Sequence, residues 1–170
     1  MIRILSMAII FVCSMTACIE SNTTKIERAM QNPLNIPTEL SDSSSVIKII
    51  RYVRPKSCTS CELELGMWRI YDKNIHKKFG DKAAIKFIVE TTNVKETAKL
   101  LSMYNLNNNS YIDSTGMFTK YNPYISHIGS DVVMVVDKQN NVILIGNPCK
   151  DVEIQHITDS VLIKYVFPNN

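Results

Sequence analysis

Two cysteines, Cys58 and Cys61, are separated by two residues at the point where a strand-like sequence gives way to a helix-like one. An apolar run over residues 46–53 precedes them, and residues 62–71 carry apolar side chains at helical spacing. Cysteines at the start of a helix lie beside unpaired amide hydrogens and the positive end of the helix dipole, which stabilise a thiolate. Because a cysteine one turn later can close a disulfide with the first, this spacing predicts a redox-active pair.

In such a pair we expect Cys58 to be the nucleophile that attacks a substrate disulfide and Cys61 to resolve the mixed disulfide. Arg54 and Lys56 are accessory candidates, because nearby positive charge favours the Cys58 thiolate. The alternative for these two cations is an ordinary solvated loop. For the cysteines themselves, the alternative is an inert structural disulfide.

Zinc binding is a further alternative for the cysteine pair. A zinc site needs four ligands, usually two such pairs or one pair with two histidines. The chain offers one close pair, and His76, His127 and His156 are scattered along it. We therefore predict no metal and no cofactor.

The N-terminal residues predict export. An apolar run over residues 4–15 follows Arg3 and is shorter than the roughly 20 residues that a membrane-spanning helix needs. The sequence Thr16-Ala17-Cys18 resembles a bacterial lipoprotein signal, which implies cleavage before Cys18 and a lipid on its sulfur. An ordinary secretory leader is the alternative. Either reading places the domain in the bacterial cell envelope, in the periplasm or at the cell surface, and the first adds a lipid anchor to a membrane.

The remaining composition excludes some classes of protein. With 170 residues and 45% apolar residues, the chain can bury a core without metals or a disulfide framework. The net charge of +3 and the lack of a basic stripe with interleaved aromatics argue against nucleic acid as a partner. Cys149, in a turn after Asn147-Pro148, is left over as a third redox thiol, a partner for another chain, or a half-buried free thiol.

The chain divides into a signal peptide at 1–17, a lipidated tether and linker at 18–45, and one domain at 46–166. In the tether we predict a short helix over 24–30 and an edge strand near 36–40. The domain has apolar runs typical of strands, amphipathic segments typical of helices, and a hairpin signal at 138–141. We predict strands at 46–53, 84–90, 111–113, 132–137 and 141–146, and helices at 58–78, 93–105, 117–121 and 151–166.

This order of elements, with Cys-x-x-Cys at the first helix, resembles the thioredoxin fold over residues 46–166. Residues 111–118 and 133–143 look like the exported peroxiredoxin-like and cytochrome-maturation branch of that superfamily. The sequence around Cys58 and the long helix after it resemble small thioredoxin-like lipoproteins of Bacteroidetes-type bacteria. The resemblance implies an α/β fold with a central mixed sheet flanked by helices. It also implies an envelope thiol-disulfide oxidoreductase acting on the thiols or disulfides of exported proteins, with an unidentified redox partner.

Two departures from the thioredoxin pattern leave a second function open. Thioredoxins carry a cis-proline just before the hairpin, but here that place falls near Ser130 or Asp131. An ionised Asp131 close to the thiols would also disfavour a thiolate. Thr59-Ser60 replaces the frequent Gly-Pro between the cysteines, and this pair tunes the redox potential. The alternative function is a non-catalytic thioredoxin-fold binding lipoprotein with a structural or vestigial cysteine pair.

Overall fold

The computed structural model describes residues 31–41 and 44–168. The predicted signal peptide, the lipidation of Cys18 and the predicted helix over 24–30 lie outside the described residues. Within them, the strands are β1 (Ile47–Val53), β2 (Ala83–Glu90), β3 (Ser110–Asp113), β4 (Asp131–Asp137) and β5 (Val142–Ile145). The helices are α1 (Thr59–Leu63), α2 (Leu65–Phe79), α3 (Val94–Met103), α4 (Met117–Tyr121), α5 (Pro123–Ile128) and α6 (Val152–Val166).

The described strands form one mixed sheet in the order β3-β2-β1-β4-β5. β1 pairs with β2 in parallel and with β4 antiparallel, so it occupies the centre of the sheet. β3 continues the parallel half and β5 the antiparallel half. Every residue of β1 is buried, as the continuous apolar run predicts for a strand that is covered on both faces. The predicted α/β fold with a central mixed sheet is confirmed.

Two hydrophobic cores cover the two faces of this sheet. On one face, odd-numbered residues of β1 such as Ile47 and Ile49 pack against apolar side chains from α2, α3 and α6. On the other face, Ile50 and Tyr52 pack against α4, α5 and the segment around Leu40. Because strand side chains alternate between faces, each buried position of β1 belongs to one core only.

The segment before the sheet differs from its predicted edge strand. It forms a single 3-10 turn, Thr38–Leu40, that follows Pro37 and buries Leu40 in the second core. Pro37 has no amide hydrogen to donate to a strand ladder, which favours a turn at this point. Pro33 precedes the other anchor of the segment, Leu34, whose amide donates to the carbonyl of Asn140 at 2.8 Å.

The inward faces of α3 and α6 differ in part from those that the apolar pattern predicts. In α3 the pattern predicts that Val94, Ala98 and Leu101 face inward; Leu101 is buried, but Val94 and Ala98 lie at the surface, and Thr97 is fully buried. In α6, Thr158 is fully buried and Ile157 is exposed. Each of these helices therefore buries a threonine at a place that a simple apolar pattern gives to a neighbouring residue. Among the described residues, none of the helices has the length and apolar character that crossing a membrane requires.

Candidate active site

Cys58 is the N-cap of α1, directly after the loop that leaves β1. Its extended backbone places Sγ so that the amide of Cys61 donates a hydrogen bond to it at 3.3 Å. The hydroxyl of Ser60 lies 3.3 Å from the same sulfur. The sulfur is thus the group that satisfies the first turn of the helix, a place usually taken by a side-chain oxygen.

Cys58 and Cys61 form a disulfide, with 5.3 Å between their Cα atoms. Both residues are exposed. Thiol-disulfide exchange requires a second sulfur to approach one of the bonded sulfurs, so exposure of the pair is a precondition for exchange with another protein. The pairing and the placement that the spacing predicts are therefore present.

The carboxylate of Glu62 binds the loop before the cysteines, a contact that the sequence analysis missed. It accepts hydrogen bonds from the amides of Lys56, at 3.0 and 3.1 Å, and Ser57, at 2.8 Å, and from the Ser57 hydroxyl at 3.1 Å. Backbone hydrogen bonds, led by that from Lys56, hold the pKa of Glu62 below its usual value. As expected for a helix start, the Cys61 amide donates to the Cys58 sulfur, but the Glu62 carboxylate binds the amides of the preceding loop and adds a negative charge.

The helix after the cysteines is not continuous, contrary to the single helix predicted over 58–78. α1 ends at Leu63, and α2 begins at Leu65. Between them Glu64 adopts the left-handed conformation, with φ 48° and ψ 36°. Such a break leaves the last carbonyls of α1 without helical partners, so other groups must bind them.

Arg51 supplies those partners from the middle of β1. Its guanidinium donates from Nη1 to the carbonyl of Leu63 and from Nη2 to the carbonyl of Glu62, the latter at 2.9 Å. It also lies over the Trp68 ring, 4.9 Å from its centroid, and is fully buried. The sequence carries a signal for this contact: a cation in a strand expected to be buried on both faces needs partners of opposite charge or hydrogen-bonding acceptors.

Asp131, the accessory candidate at the start of β4, belongs to the same cluster. Its carboxylate accepts from Arg51 Nε at 3.2 Å and from Lys150 Nζ at 3.3 Å. Lys150 also pairs with Glu64 at 3.0 Å, and Arg51 Nη2 lies 3.3 Å from the same Glu64 oxygen. Two cations and two carboxylates therefore balance one another beside the junction of α1 and α2. The charge of Asp131, which we had considered as unfavourable to a thiolate, is compensated by its own neighbours.

Lys56 and Arg54, the candidates for positive potential, lie in the loop between β1 and Cys58. Lys56 is exposed, and its amide is bound by Glu62. Arg54 instead forms an ion pair with Glu90 at 3.6 Å. The same Glu90 carboxylate accepts from the Tyr52 hydroxyl at 2.7 Å. Burial first, and then Glu90, raise the pKa of Tyr52, so this phenol stays a hydrogen-bond donor.

Cys149 is a half-buried free thiol packed against the first core. Burial, as the largest cause, raises its pKa to about 11; Glu64 adds to this rise, and Arg51 and Lys150 oppose it. The adjacent Lys150 pairs with Glu64 at 3.0 Å, so this turn lies beside the junction of α1 and α2. A thiol that is so rarely ionised is a poor nucleophile at neutral pH.

The start of β4 carries no proline. Ser130 stands there, and its carbonyl accepts from the Arg54 amide at 2.7 Å, so it continues the pairing with β1. Tyr124 and His127 lie in the short helix α5. In the described part of the chain, no group of three or more His, Cys, Asp or Glu side chains is arranged to hold a metal ion.

No protein-family model matches the chain, and no curated protein matches it. Solved structures do match. The thioredoxin domain of a thiol-disulfide oxidoreductase from Bacteroides vulgatus is 10% identical, with a TM-score of 0.53, over 70% of this chain and 81% of that one. A thioredoxin-like protein from Parabacteroides distasonis is 12% identical, with a TM-score of 0.52, over 75% and 95%. A thiol:disulfide interchange protein from a Bacteroides species is 12% identical, with a TM-score of 0.50, over 72% and 74%.

At these identities the likeness is one of fold: a mixed sheet with β1 at its centre, flanked by helices. The chain is therefore a protein of the thioredoxin-like fold.

Proposed function

We propose that this protein is a thiol-disulfide oxidoreductase that exchanges disulfides with exported proteins through Cys58 and Cys61. The observation that carries the proposal is the exposed disulfide of these two residues at the start of α1. The names of the similar structures, which include a thiol-disulfide oxidoreductase and a thiol:disulfide interchange protein, support the same chemistry. Cys58 is the attacking sulfur in this proposal, because it accepts the amide of Cys61 and sits at the N-cap.

In the reducing direction, the Cys58 thiolate attacks one sulfur of a substrate disulfide. A Cys58–substrate disulfide forms, and the substrate disulfide breaks to release one thiolate, which takes a proton from water. Cys61 then loses its proton to solvent and attacks Cys58 Sγ, so that the Cys58–Cys61 disulfide forms and the second substrate thiol leaves. Two electrons and two protons pass to the substrate, and a dithiol protein of the envelope restores the reduced pair. The oxidising direction is the reverse sequence.

We also propose that the protein works at the bacterial cell envelope, anchored to a membrane by a lipid on Cys18. The apolar run before Thr16-Ala17-Cys18 supports this location. Incorporation of radiolabelled palmitate into the wild-type protein and not into Cys18→Ala tests the anchor. Label in the Cys18→Ala variant, or none in the wild type, would contradict it.

The redox function is tested by equilibrating the pair with glutathione buffers. An active couple gives a reduction potential between about −270 and −120 mV. In the Cys61→Ser variant the substrate-Cys58 disulfide persists and is recovered as a covalent adduct, whereas Cys58→Ser forms none. A wild-type potential below about −300 mV, together with no adduct in Cys61→Ser, rules out the proposal.

A binding protein without catalysis is the second candidate. One observation favours it: Ser130 and Asp131 stand at the start of β4, where thioredoxins have a proline. In this reading the disulfide only cross-links the first turn of α1. Two results together would support the binding protein over the oxidoreductase: a wild-type reduction potential below about −300 mV, and retained affinity of the Cys58→Ser variant for an exported protein.

A further inference from the structure

We propose that Arg51 is a positioning residue for the Cys58–Cys61 couple: it fixes α1 to the sheet and thereby sets the reduction potential. The proposal rests on the redox function inferred above and assigns a role within it to a residue that does not touch the sulfurs. It concerns how the two thiols are held together once the disulfide between them is reduced.

The helix that carries the pair has little to hold it in place. α1 has five residues, and the left-handed Glu64 separates it from the much longer α2. A helix this short is not stable by itself, so its position depends on contacts with other elements. Leu63, at its end, is fully buried and supplies an apolar contact. The carbonyls of Glu62 and Leu63 supply the polar one, through Arg51.

Arg51 has no freedom to leave this contact. Its side chain is fully buried, and Nε and Nη2 are bound by the two oxygens of Asp131 at 3.2 and 3.3 Å. One face of the guanidinium lies over Trp68. The group is therefore anchored to β1 through its own backbone and to β4 through Asp131, while its two outer nitrogens bind the end of α1. A planar fork that binds two carbonyls and a carboxylate at once is specific to arginine.

The link to the potential is the effective concentration of the two thiols. After reduction, a fixed α1 keeps Cys61 near Cys58, which favours closure of the disulfide and makes the potential more negative. If α1 loosens, the thiols separate more often, and the equilibrium moves towards the dithiol. A tenfold change in this equilibrium constant corresponds to about 30 mV.

Loss of the Arg51 charge alone would shift the reduction potential in the opposite direction to loss of its hydrogen bonds. The variants therefore separate the effect of the charge from the effect of the hydrogen bonds. Removing a cation disfavours a Cys58 thiolate and makes the potential more negative. The charge of Arg51 is, however, balanced locally by the carboxylates of Asp131 and Glu64. Arg51→Lys keeps the charge but loses the two carbonyl bonds that require the fork. Arg51→Met loses both charge and bonds.

The experiment measures the equilibrium with glutathione for wild type, Arg51→Lys and Arg51→Met. The matched control is Lys48→Met, because Lys48 is another buried cation of β1 and its ammonium binds Asn140 at 3.1 Å. We expect Arg51→Lys to shift the equilibrium at least tenfold towards the dithiol, or about 30 mV towards less negative potential. We expect Lys48→Met to change it less than about twofold. A folded Arg51→Lys with the wild-type equilibrium overturns the inference.

A second measurement uses the wild-type protein and does not depend on whether a variant folds. The side-chain N–H groups of Arg51 are followed by NMR in the oxidised and reduced states, with the more exposed Arg54 as the internal reference. Protection of the Arg51 Nη–H groups, which bind the carbonyls of Leu63 and Glu62, supports the positioning role when it is seen in both states. Exchange as fast as that of the Arg54 Nη–H groups overturns it. Failure of the redox function would show differently, as a wild-type potential below about −300 mV.

Discussion

Glu62 holds Ser57 through two hydrogen bonds, from the amide at 2.8 Å and from the hydroxyl at 3.1 Å. Ser57 directly precedes Cys58, so a full negative charge and a fixed loop lie beside the sulfur that we propose as the nucleophile. Negative charge close to a thiol disfavours its thiolate. This carboxylate thus opposes the positive potential that we expected from the loop.

We therefore expect Glu62→Gln to make Cys58 more reactive in the reduced protein. The amide keeps an acceptor for the loop but carries no charge. The alkylation rate at pH 7 should rise about three- to tenfold, since each pKa unit changes the thiolate fraction tenfold below the pKa. The rate is measured against pH in a Cys149→Ala background. Glu96→Gln, at the start of α3, is the control and should leave the dependence of the alkylation rate on pH unchanged. The same result for Glu62→Gln would contradict the expectation.

Cys149 should react slowly with alkylating agents in the oxidised protein, where it is the free cysteine of the described residues. Because burial raises its pKa to about 11, the rate should rise about tenfold per pH unit through the neutral range and level off near that value. Mass spectrometry of the alkylated peptide measures this rate. Fast labelling at pH 7 would instead indicate an ionised, accessible thiol.

The same raised pKa predicts a loss of stability at high pH. The unfolded thiol has a pKa near 8.5, so between about pH 8.5 and 11 the unfolded chain binds fewer protons than the folded one. The free energy of unfolding must then fall as pH rises, by about 1 to 2 kcal/mol from this group after allowance for solvent screening. Tyr71, whose pKa burial also raises, contributes with the same sign. Urea unfolding of wild type and Cys149→Ala at pH 8 and 11 isolates the contribution of the cysteine. The free energy of unfolding should fall more with pH in the wild type than in the variant, and an equal fall in both would refute the prediction.

Asp113 should be the most costly of the helix-capping residues to replace. It is 1% exposed and accepts from the amides of Phe118, Met117 and Thr115, so that it caps α4. Burial raises its pKa, but these bonds outweigh it and hold the pKa below the usual value. Asp113→Asn should lower the free energy of unfolding by about 1 to 3 kcal/mol at pH 7. The exposed cap Asp151→Asn is the control, with an expected cost below about 0.5 kcal/mol.

The sign for Asp113 is opposite to that for Cys149. A lowered folded pKa means that the carboxylate stabilises the fold above the unfolded pKa near 3.9 and that this contribution disappears as pH falls below it. The difference in the free energy of unfolding between wild type and Asp113→Asn should therefore be smaller at pH 3 than at pH 7. An equal difference at both pH values would show that Asp113 acts through its shape and not its charge.

Two buried threonines should gain stability when their hydroxyls are removed. The Oγ1 atoms of Thr97 and Thr158 are buried without a hydrogen-bond partner. Valine has the same shape, so Thr158→Val should raise the free energy of unfolding by about 1 kcal/mol. Thr119→Val is the matched control, because the Thr119 hydroxyl donates to Glu90 at 3.1 Å, and it should lower stability. Calorimetry of the three proteins decides, and a destabilised Thr158→Val would point to a hidden partner.

These threonines also show where sequence patterns reach their limit. The bounds of the strands were predicted closely, because strands that are covered on both faces have continuous runs of apolar residues in the sequence. The inward faces of α3 and α6 were not, since Thr97 and Thr158 count as polar in a pattern but are fully buried, hydroxyl oxygens included. Whether a threonine is buried depends on the residues packed around it, which a local pattern does not contain.

The break at Glu64 is the other feature that the sequence did not reveal. Neither glycine nor proline stands there, and the apolar spacing of Leu65, Trp68 and Tyr71 predicts one long helix. The left-handed residue is stabilised by groups distant in sequence, Arg51 and Lys150, through ion pairs. The cysteine pair itself was predictable because its spacing is local, whereas the cluster of Arg51, Glu64, Asp131 and Lys150 joins four separate parts of the chain.

The two outermost strands of the sheet, β3 and β5, have four residues each, while the inner three have seven or eight. An exposed edge strand can pair with an edge strand of another molecule and begin aggregation. Short edge strands offer few free backbone groups for such pairing. The short edge strands therefore protect the molecule from pairing of its sheet with the sheet of another molecule, because its longer strands are enclosed at the centre.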